Sequence, residues 1–385
     1  MTRLMSVEDT KLRLGSASFL RRVIVLGAVA GITAACQVPE AVSVLGELVE
    51  QSKAREFPGL AQIRKPIAYR VAERSRAGDF YERVEEGRRP RAAIVLVPGL
   101  SPAGKDDPRL VAVALALVKG RFAVLIPDMP NLREARVGIE DIRMIADAVH
   151  HLDGAGYRVV GVQAVSYAVG PALFAAMEPD VRDRVRFLVA IGGYYDVEEV
   201  IRYFTTGHHR AAPGEPYRVG EPNPAAKWRF AQSNAAYLAD PGDRAALTAI
   251  ATLKHAEPGR DVGDLARRLK AEGRAVLDLV ENTDPLRVAA LIRRLPPRLL
   301  AALNALNPAN RNLRQEVKAR LILVHGEDDK VIPAAESRRL ARAVASADLY
   351  IVEHLFHADL ASPSLLDRIT LLGATMRVLE ERDRD

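Results

Sequence analysis

Two rhythms of apolar and polar positions alternate along this chain. Ala92 to Val97, Phe122 to Ile126, Arg158 to Val165 and Arg186 to Ile191 are apolar nearly throughout. Strands buried on both faces carry that pattern, because helices cover the two sides of a parallel sheet. Between them Ile139, Ile142, Ile145, Val149 and Leu152 recur at three- and four-residue steps, which gathers them on one helix face. Upstream, Ile67 to Glu73 and Asp79 to Val84 read as two edge strands flanking a turn with Gly78. From Val197 to Val317 helical spacing takes over, broken by prolines such as Pro213, Pro241 and Pro296-Pro297. That stretch is too long for a connecting loop and contains no buried-strand run, so it reads as a helical insertion over the sheet. Strand character returns at Ala319 to Val324 and Asp348 to Val352, and Ile369 to Glu380 closes the chain as a helix. The expected class is α/β: a mostly parallel central sheet flanked by helices, with a helical cap.

The first 36 residues change that picture. Basic residues ending in Arg21-Arg22 precede the apolar run Val23 to Ile32, which is short for a membrane span but suits a secretory signal. Thr33-Ala34-Ala35 and then Cys36, the only cysteine of the 385 residues, follow at once, so no intrachain disulfide can form. The arrangement resembles a bacterial lipoprotein processing site, departing from it at Thr33, where a larger aliphatic residue is usual. The resemblance implies lipidation at Cys36 and a periplasm-facing, lipid-anchored place in the cell envelope. An ordinary cleaved signal or an uncleaved anchor, and a cytoplasmic chain with an amphipathic N-terminal helix, are the alternatives. The division expected is 1–36 signal, 37–65 linker and helical segment, 66–196 first part of the core, 197–317 cap, and 318–385 second part of the core.

Charge excludes one class of partner. The formal net charge is +6, of which five basic and two acidic residues before Cys36 supply half. A surplus that small over the remaining chain does not argue for nucleic acid. At 49% hydrophobic and 27% charged residues, the chain has the balance of a folded protein facing water.

The candidate chemistry begins at Ser166, in Ala164-Val165-Ser166-Tyr167-Ala168, where an apolar strand gives way to a helix. A nucleophilic serine held in a tight strand-to-helix turn needs small neighbours there, and alanine stands where glycine is usual. Asp329 follows Leu321 to Val324 in His325-Gly326-Glu327-Asp328-Asp329, and a carboxylate at such a strand end can orient an imidazole. Asp328 is its immediate rival. His357, in Glu353-His354-Leu355-Phe356-His357, can take the serine proton and return it to a leaving group, with His354 as the alternative base. Asp196, after the fourth apolar run, is a further candidate acid. The other histidines, including His150-His151 and His208-His209, read as surface residues without metal-ligand spacing.

Ser166, Asp329 and His357 stand in the chain order of the α/β-hydrolase superfamily, and the chain from about Pro66 onward resembles it. The resemblance implies a Ser-His-Asp triad, an acyl-enzyme, and no metal or organic cofactor. It also implies an oxyanion hole from the backbone amides of Leu100 and Tyr167. Leu100 belongs to the loop Pro98-Gly99-Leu100-Ser101, which departs from the family at Pro98, where histidine is frequent. Asp128 matches a structural feature of the family. The expected reaction is cleavage of a carboxylic ester or related acyl bond in a small molecule. Acyl transfer to another acceptor and perhydrolase, haloperoxidase or lyase chemistry share the fold. A non-catalytic envelope protein that binds a lipid or partner is a separate class. Tyr194, Tyr195, Tyr203, Phe204, Trp228, Phe230 and Tyr237 either line an acyl pocket or pack the cap, and burial preference favours packing. The biological substrate and oligomeric state are not legible in the chain.

Overall fold

The computed structural model describes residues 37–50, 59–84, 89–134, 136, 138–356, 359–360 and 364–384. The proposed signal segment and Cys36 therefore lie outside the described residues.

The four apolar runs become the central strands, because every one of their side chains needs cover on one face or the other. The sheet comprises β1 (Arg64–Val71), β2 (Arg74–Tyr81), β3 (Ala92–Val97), β4 (Phe122–Pro127), β5 (Val159–Val165), β6 (Val185–Ile191), β7 (Arg320–Gly326) and β8 (Ala347–Val352). They are ordered β1-β2-β4-β3-β5-β6-β7-β8. Only β2 runs against its neighbours; the remaining pairs are parallel. That order, with a cap between β6 and β7, is the α/β-hydrolase fold. One face is covered by the helices Glu140–Gly154 and Val169–Ala175, through Ile145, Val149, Leu152, Ala172 and Leu173. The other is covered by Pro108–Lys119 and Leu365–Asp383, through Leu110, Leu117, Val378 and Leu379. Each fully buried Val, Leu or Ile contributes roughly 1.5–3 kcal/mol, so both faces of the sheet contribute heavily to stability.

The edge hairpin differs from expectation. Its turn falls at Ala72-Glu73, with Ala72 at φ 50°, while Gly78 sits inside β2 opposite Ile67 and Pro127. A Cβ at Gly78 would lie 2.6 Å from the Ile126 carbonyl oxygen, so this glycine serves close strand approach rather than a turn.

The segment between β6 and β7 has its own apolar core, in which Ile201, Trp228, Leu247, Val276 and Leu299 are buried. It is not wholly helical: His208–His209 pairs with Arg218–Val219 in a short antiparallel ladder. The helix over 37–50 docks on the C-terminal helix, where Arg382 binds the Glu40 carboxylate at 2.6 and 3.0 Å and buried Ala41 joins the core. Among the described residues no helix is long and apolar enough to cross a membrane.

Candidate active site

The strand β5 ends at Val165 and the chain turns directly into a short 3-10 segment, Ser166–Ala168, continued by the helix Val169–Ala175. Ser166 alone makes that turn possible by adopting φ 58°. A left-handed conformation costs a residue with a side chain about 1–3 kcal/mol, and such strain persists where surrounding structure enforces it. Here Ala164 and Ala168 are fully buried, and Gly170 lets the helix lie on Tyr194. A Cβ at Gly170 would fall 1.9 Å from the Tyr194 hydroxyl, which is itself tied to the Leu306 carbonyl at 2.9 Å. The small residues on either side of Ser166 thus serve close packing, as their pattern suggested.

Ser166 borders two cavities. One, of about 160 Å³, is walled mainly by apolar side chains, among them Leu100, Tyr194, Val200, Phe204, Leu303 and Ile332. The other is a more polar cleft along Pro98 to Ser101, with Asp107, Arg109 and His255. Leu100, Ser166, Ala226, Arg229 and Val331 border both, so the serine lies at their junction. Tyr167 lines the apolar cavity beside Leu100.

Asp329 lies in the loop after β7 and is 2% exposed, whereas Asp328 beside it is exposed. Its Oδ1 accepts the N–H groups of Val331 at 2.7 Å and Ile332 at 3.0 Å. Its backbone carbonyl accepts the Tyr203 hydroxyl at 3.1 Å. Val331 and Ile332, whose N–H groups the carboxylate accepts, line the apolar cavity with Ser166. His325 supports the loop from below: its Nδ1 contacts the Ser337 hydroxyl at 2.6 Å and its Nε2 the Ile332 carbonyl at 2.9 Å, with Asp329 Oδ2 3.4 Å away. A carbonyl only accepts, so Nε2 carries the proton in that arrangement.

Asp196 has a different setting. It caps the helix Val197–Thr206 by accepting from Glu198 N–H, and it pairs with Arg339 at 3.1 Å. Glu336, buried beneath, accepts the N–H groups of Tyr195 and Asp196 at 2.9 and 2.6 Å and pairs with Arg339. These contacts make Asp196 part of a clamp on the chain leaving β6. His354, half exposed, contacts Asp367 through Nδ1 at 2.7 Å. Asp367 also forms a reciprocal capping box with Ser364 and accepts the Glu353 N–H. Burial opposes its ionisation, yet the Ser364 N–H and hydroxyl, His354 and the Glu353 N–H hold its carboxyl well below the usual range. His354 is thereby fastened to the C-terminal helix. His357 lies outside the described residues.

Several histidines depart from the surface reading. His325 is fully buried, because it continues the apolar run of β7 into the sheet edge. His151 is half buried, stacked on Tyr69 at 4.5 Å, and burial lowers its pKa. His209 packs edge-on against Tyr203 and is likewise lowered, by burial and then by Arg218. His150 pairs with Asp180 at 2.8 Å. Asp128 pairs with Arg133 at 3.1 Å. The aromatic residues divide: Trp228 packs the cap core, whereas Tyr194, Phe204 and Phe230 line the cavity. Sequence reading missed Arg229, Ser233 and Asn234. Their spacing with Ala226 and Phe230 is the helical stripe that marks them, once the helix Pro224–Asn234 is known to face the cavity.

No protein-family model matches this chain, and no curated relative matches it. Similar solved structures include an acylaminoacyl peptidase in complex with Z-Gly-Gly-Phe-chloromethyl ketone. It is 12% identical over 84% of this chain and 43% of that one, with a TM-score of 0.45, so this chain spans less than half of the peptidase. Dienelactone hydrolase from Anabaena variabilis is 14% identical over 82% of this chain and 96% of its own, with a TM-score of 0.41. Est1E from Butyrivibrio proteoclasticus is 10% identical over 83% and 99%, with a TM-score of 0.43. Likenesses this distant leave the chemistry of this chain to be read from its own residues.

Proposed function

We propose that this chain is a serine hydrolase that cleaves a carboxylic ester of a short apolar acid. Ser166 is the nucleophile, His357 the base and Asp329 the acid that orients it. The observation that carries the reading is Ser166 itself: a non-glycine residue held at φ 58° on a strand-to-helix turn, at the junction of an apolar cavity and a polar cleft. Backbone strain at that point has a use when it presents a hydroxyl to a substrate carbonyl. In the first step the Ser166 oxygen bonds to the carbonyl carbon while its proton passes to His357. The alkoxide then leaves as an alcohol with that proton, and water attacks the acyl-enzyme by the same route. The Leu100 and Tyr167 amides would stabilise the charge on the carbonyl oxygen. Asp329 is preferred to Asp328 because it is buried and braced, and to Asp196 because that residue is engaged as a helix cap and ion pair.

The purified protein is expected to be labelled by a fluorophosphonate probe, and Ser166→Ala to lose the label. Undiminished labelling of that variant would place the reactive hydroxyl elsewhere. The proposed setting is the bacterial cell envelope, with Cys36 lipidated. Expression with and without globomycin is expected to give a mass difference at the N-terminus, and a mature chain beginning elsewhere removes the lipid anchor from the proposal.

A further inference from the structure

The helix over 37–50 is fastened to the edge of the sheet at which the parallel strands begin. Gly120 ends the helix Pro108–Lys119 and Phe122 opens β4, level with Ala92 at the start of β3, which is level with Val159 at the start of β5. Arg382 ties this point to the N-terminal helix. It donates to the Gly120 carbonyl at 2.7 Å and to the Glu40 carboxylate, and its guanidinium lies 5.9 Å from the centre of the Phe122 ring. Arg121 also reaches Glu40, at 3.3 Å. Val44 packs on Gly120, where an added Cβ would meet its Cγ2 at 3.2 Å. Gln37, buried at the start of the helix, donates to Asp383 at 3.1 Å. Ser166 and Asp329 follow the last residues of β5 and β7, at the opposite edge. The seven residues of β5, at about 3.3 Å each, set the two edges about 20 Å apart.

The same helix turns an uncharged face to solvent. Its exposed positions before Glu50 are Val38, Pro39, Val42, Ser43 and Gly46. Val38 and Val42, one turn apart, are 39% and 54% exposed, whereas Glu40 is engaged with Arg382. Cys36 is joined to Gln37 by one peptide bond, so attachment there leaves no spacer residues on which the domain could swing round. Apolar side chains beside an anchor add to membrane binding with the area they bury.

We propose that the outer face of the helix over 37–50 rests on the bilayer that holds the N-terminus, with Ser166 opening on the far side of the domain. The substrate is then an ester that arrives through the aqueous phase, not a lipid of that bilayer. This rests on the envelope and hydrolase readings above.

The test uses protein expressed from the full chain, extracted from membranes and reconstituted into phosphatidylcholine vesicles. One dye is placed on Val42→Cys and another on Ser166 through a fluorescent fluorophosphonate, with wild type and Ser166→Ala as the respective blanks. Nitroxide-bearing lipids, which quench at short range, are expected to remove most of the emission at residue 42 and leave that at Ser166 unchanged. A water-soluble nitroxide is expected to do the reverse. A fluorophosphonate carried on a hexadecyl chain in the bilayer is expected to label Ser166 far more slowly than a soluble one. Quenching at Ser166 by the lipid nitroxide, or equal labelling by the two probes, would overturn the inference and leave both readings standing. So would a dye at residue 42 that neither nitroxide reaches, which would mean that a second copy or another protein covers this face. Dye uptake by wild-type Cys36 would show it unlipidated, and absence of Ser166-dependent labelling would show no activated serine; in either case the corresponding reading fails and this inference with it.

Discussion

Asp329→Asn is expected to lower kcat on a short ester by about 10⁴-fold, and Ser166→Ala by about 10⁴- to 10⁶-fold, as when single members of such triads are removed. The asparagine is close in shape, and its Oδ1 can still accept the N–H groups of Val331 and Ile332. The loop should therefore persist, and the loss would report the missing charge and the wrong imidazole tautomer rather than unfolding. Asp196→Asn is the discriminating control. Asparagine caps helices as well as aspartate, so the variant mainly weakens the pair with Arg339 and should change kcat less than about tenfold, the scale of an indirect contact. Circular dichroism alongside the rates would separate folding from chemistry. If Asp196→Asn silences the enzyme and Asp329→Asn does not, the acid has been assigned to the wrong strand end.

The second large effect concerns stability. Asp141, in the helix Glu140–Gly154, is fully buried, with Oδ1 accepting from Asn131 at 3.2 Å and Oδ2 without a partner among the described residues. Burial pushes its carboxyl up to about 7; the Asn131 amide opposes this, and neighbouring Glu140 adds to it. In the unfolded chain the group titrates near 4. Between about pH 4 and 7 the folded state thus holds a proton that the unfolded state has lost, so stability falls as pH rises through that window and levels off above it. A shift of about three units corresponds to roughly 4 kcal/mol of lost stability at pH 8 relative to pH 4. Asp141→Asn cannot titrate and is expected to lack that decline. At pH 8 it should be the more stable protein by about 2 kcal/mol, once the unpaired amide hydrogens are charged against it. Urea unfolding of both proteins across pH 4 to 8 measures this, and parallel profiles would show that Asp141 ionises normally in the fold.

The two effects meet at Tyr167. Burial raises the pKa of its hydroxyl, Tyr194 and Asp141 add to the shift, and the Gly138 backbone opposes it. Asp141 is thus one of the charges felt by the residue that follows Ser166.

The legible part of this molecule was the part governed by continuous burial. Runs such as Ala92–Val97 and Phe122–Pro127 admit one reading, because a strand covered on both faces tolerates no polar position. The hairpin turn was misplaced because glycine marks both turns and close backbone approach, and only the neighbouring Ile126 carbonyl distinguishes them. His325 was misread for a related reason: a polar residue at a strand end is buried or exposed according to what packs on it, here Ser337 and the Ile332 carbonyl. Ser233 and Asn234 look like ordinary surface positions in the chain, since Trp228 and Ala231 claim the same helix for the cap core.

Local pattern by itself determined the α/β class, the capped sheet and the places of Ser166 and Asp329 just after β5 and β7, because periodicity and chain order survive without coordinates. Only tertiary structure decided which carboxylate is buried and braced by backbone N–H groups and which is engaged elsewhere. Those choices depend on contacts between residues far apart in the chain, such as Asp196 with Arg339 and Asp329 with Tyr203, and no local spacing encodes them.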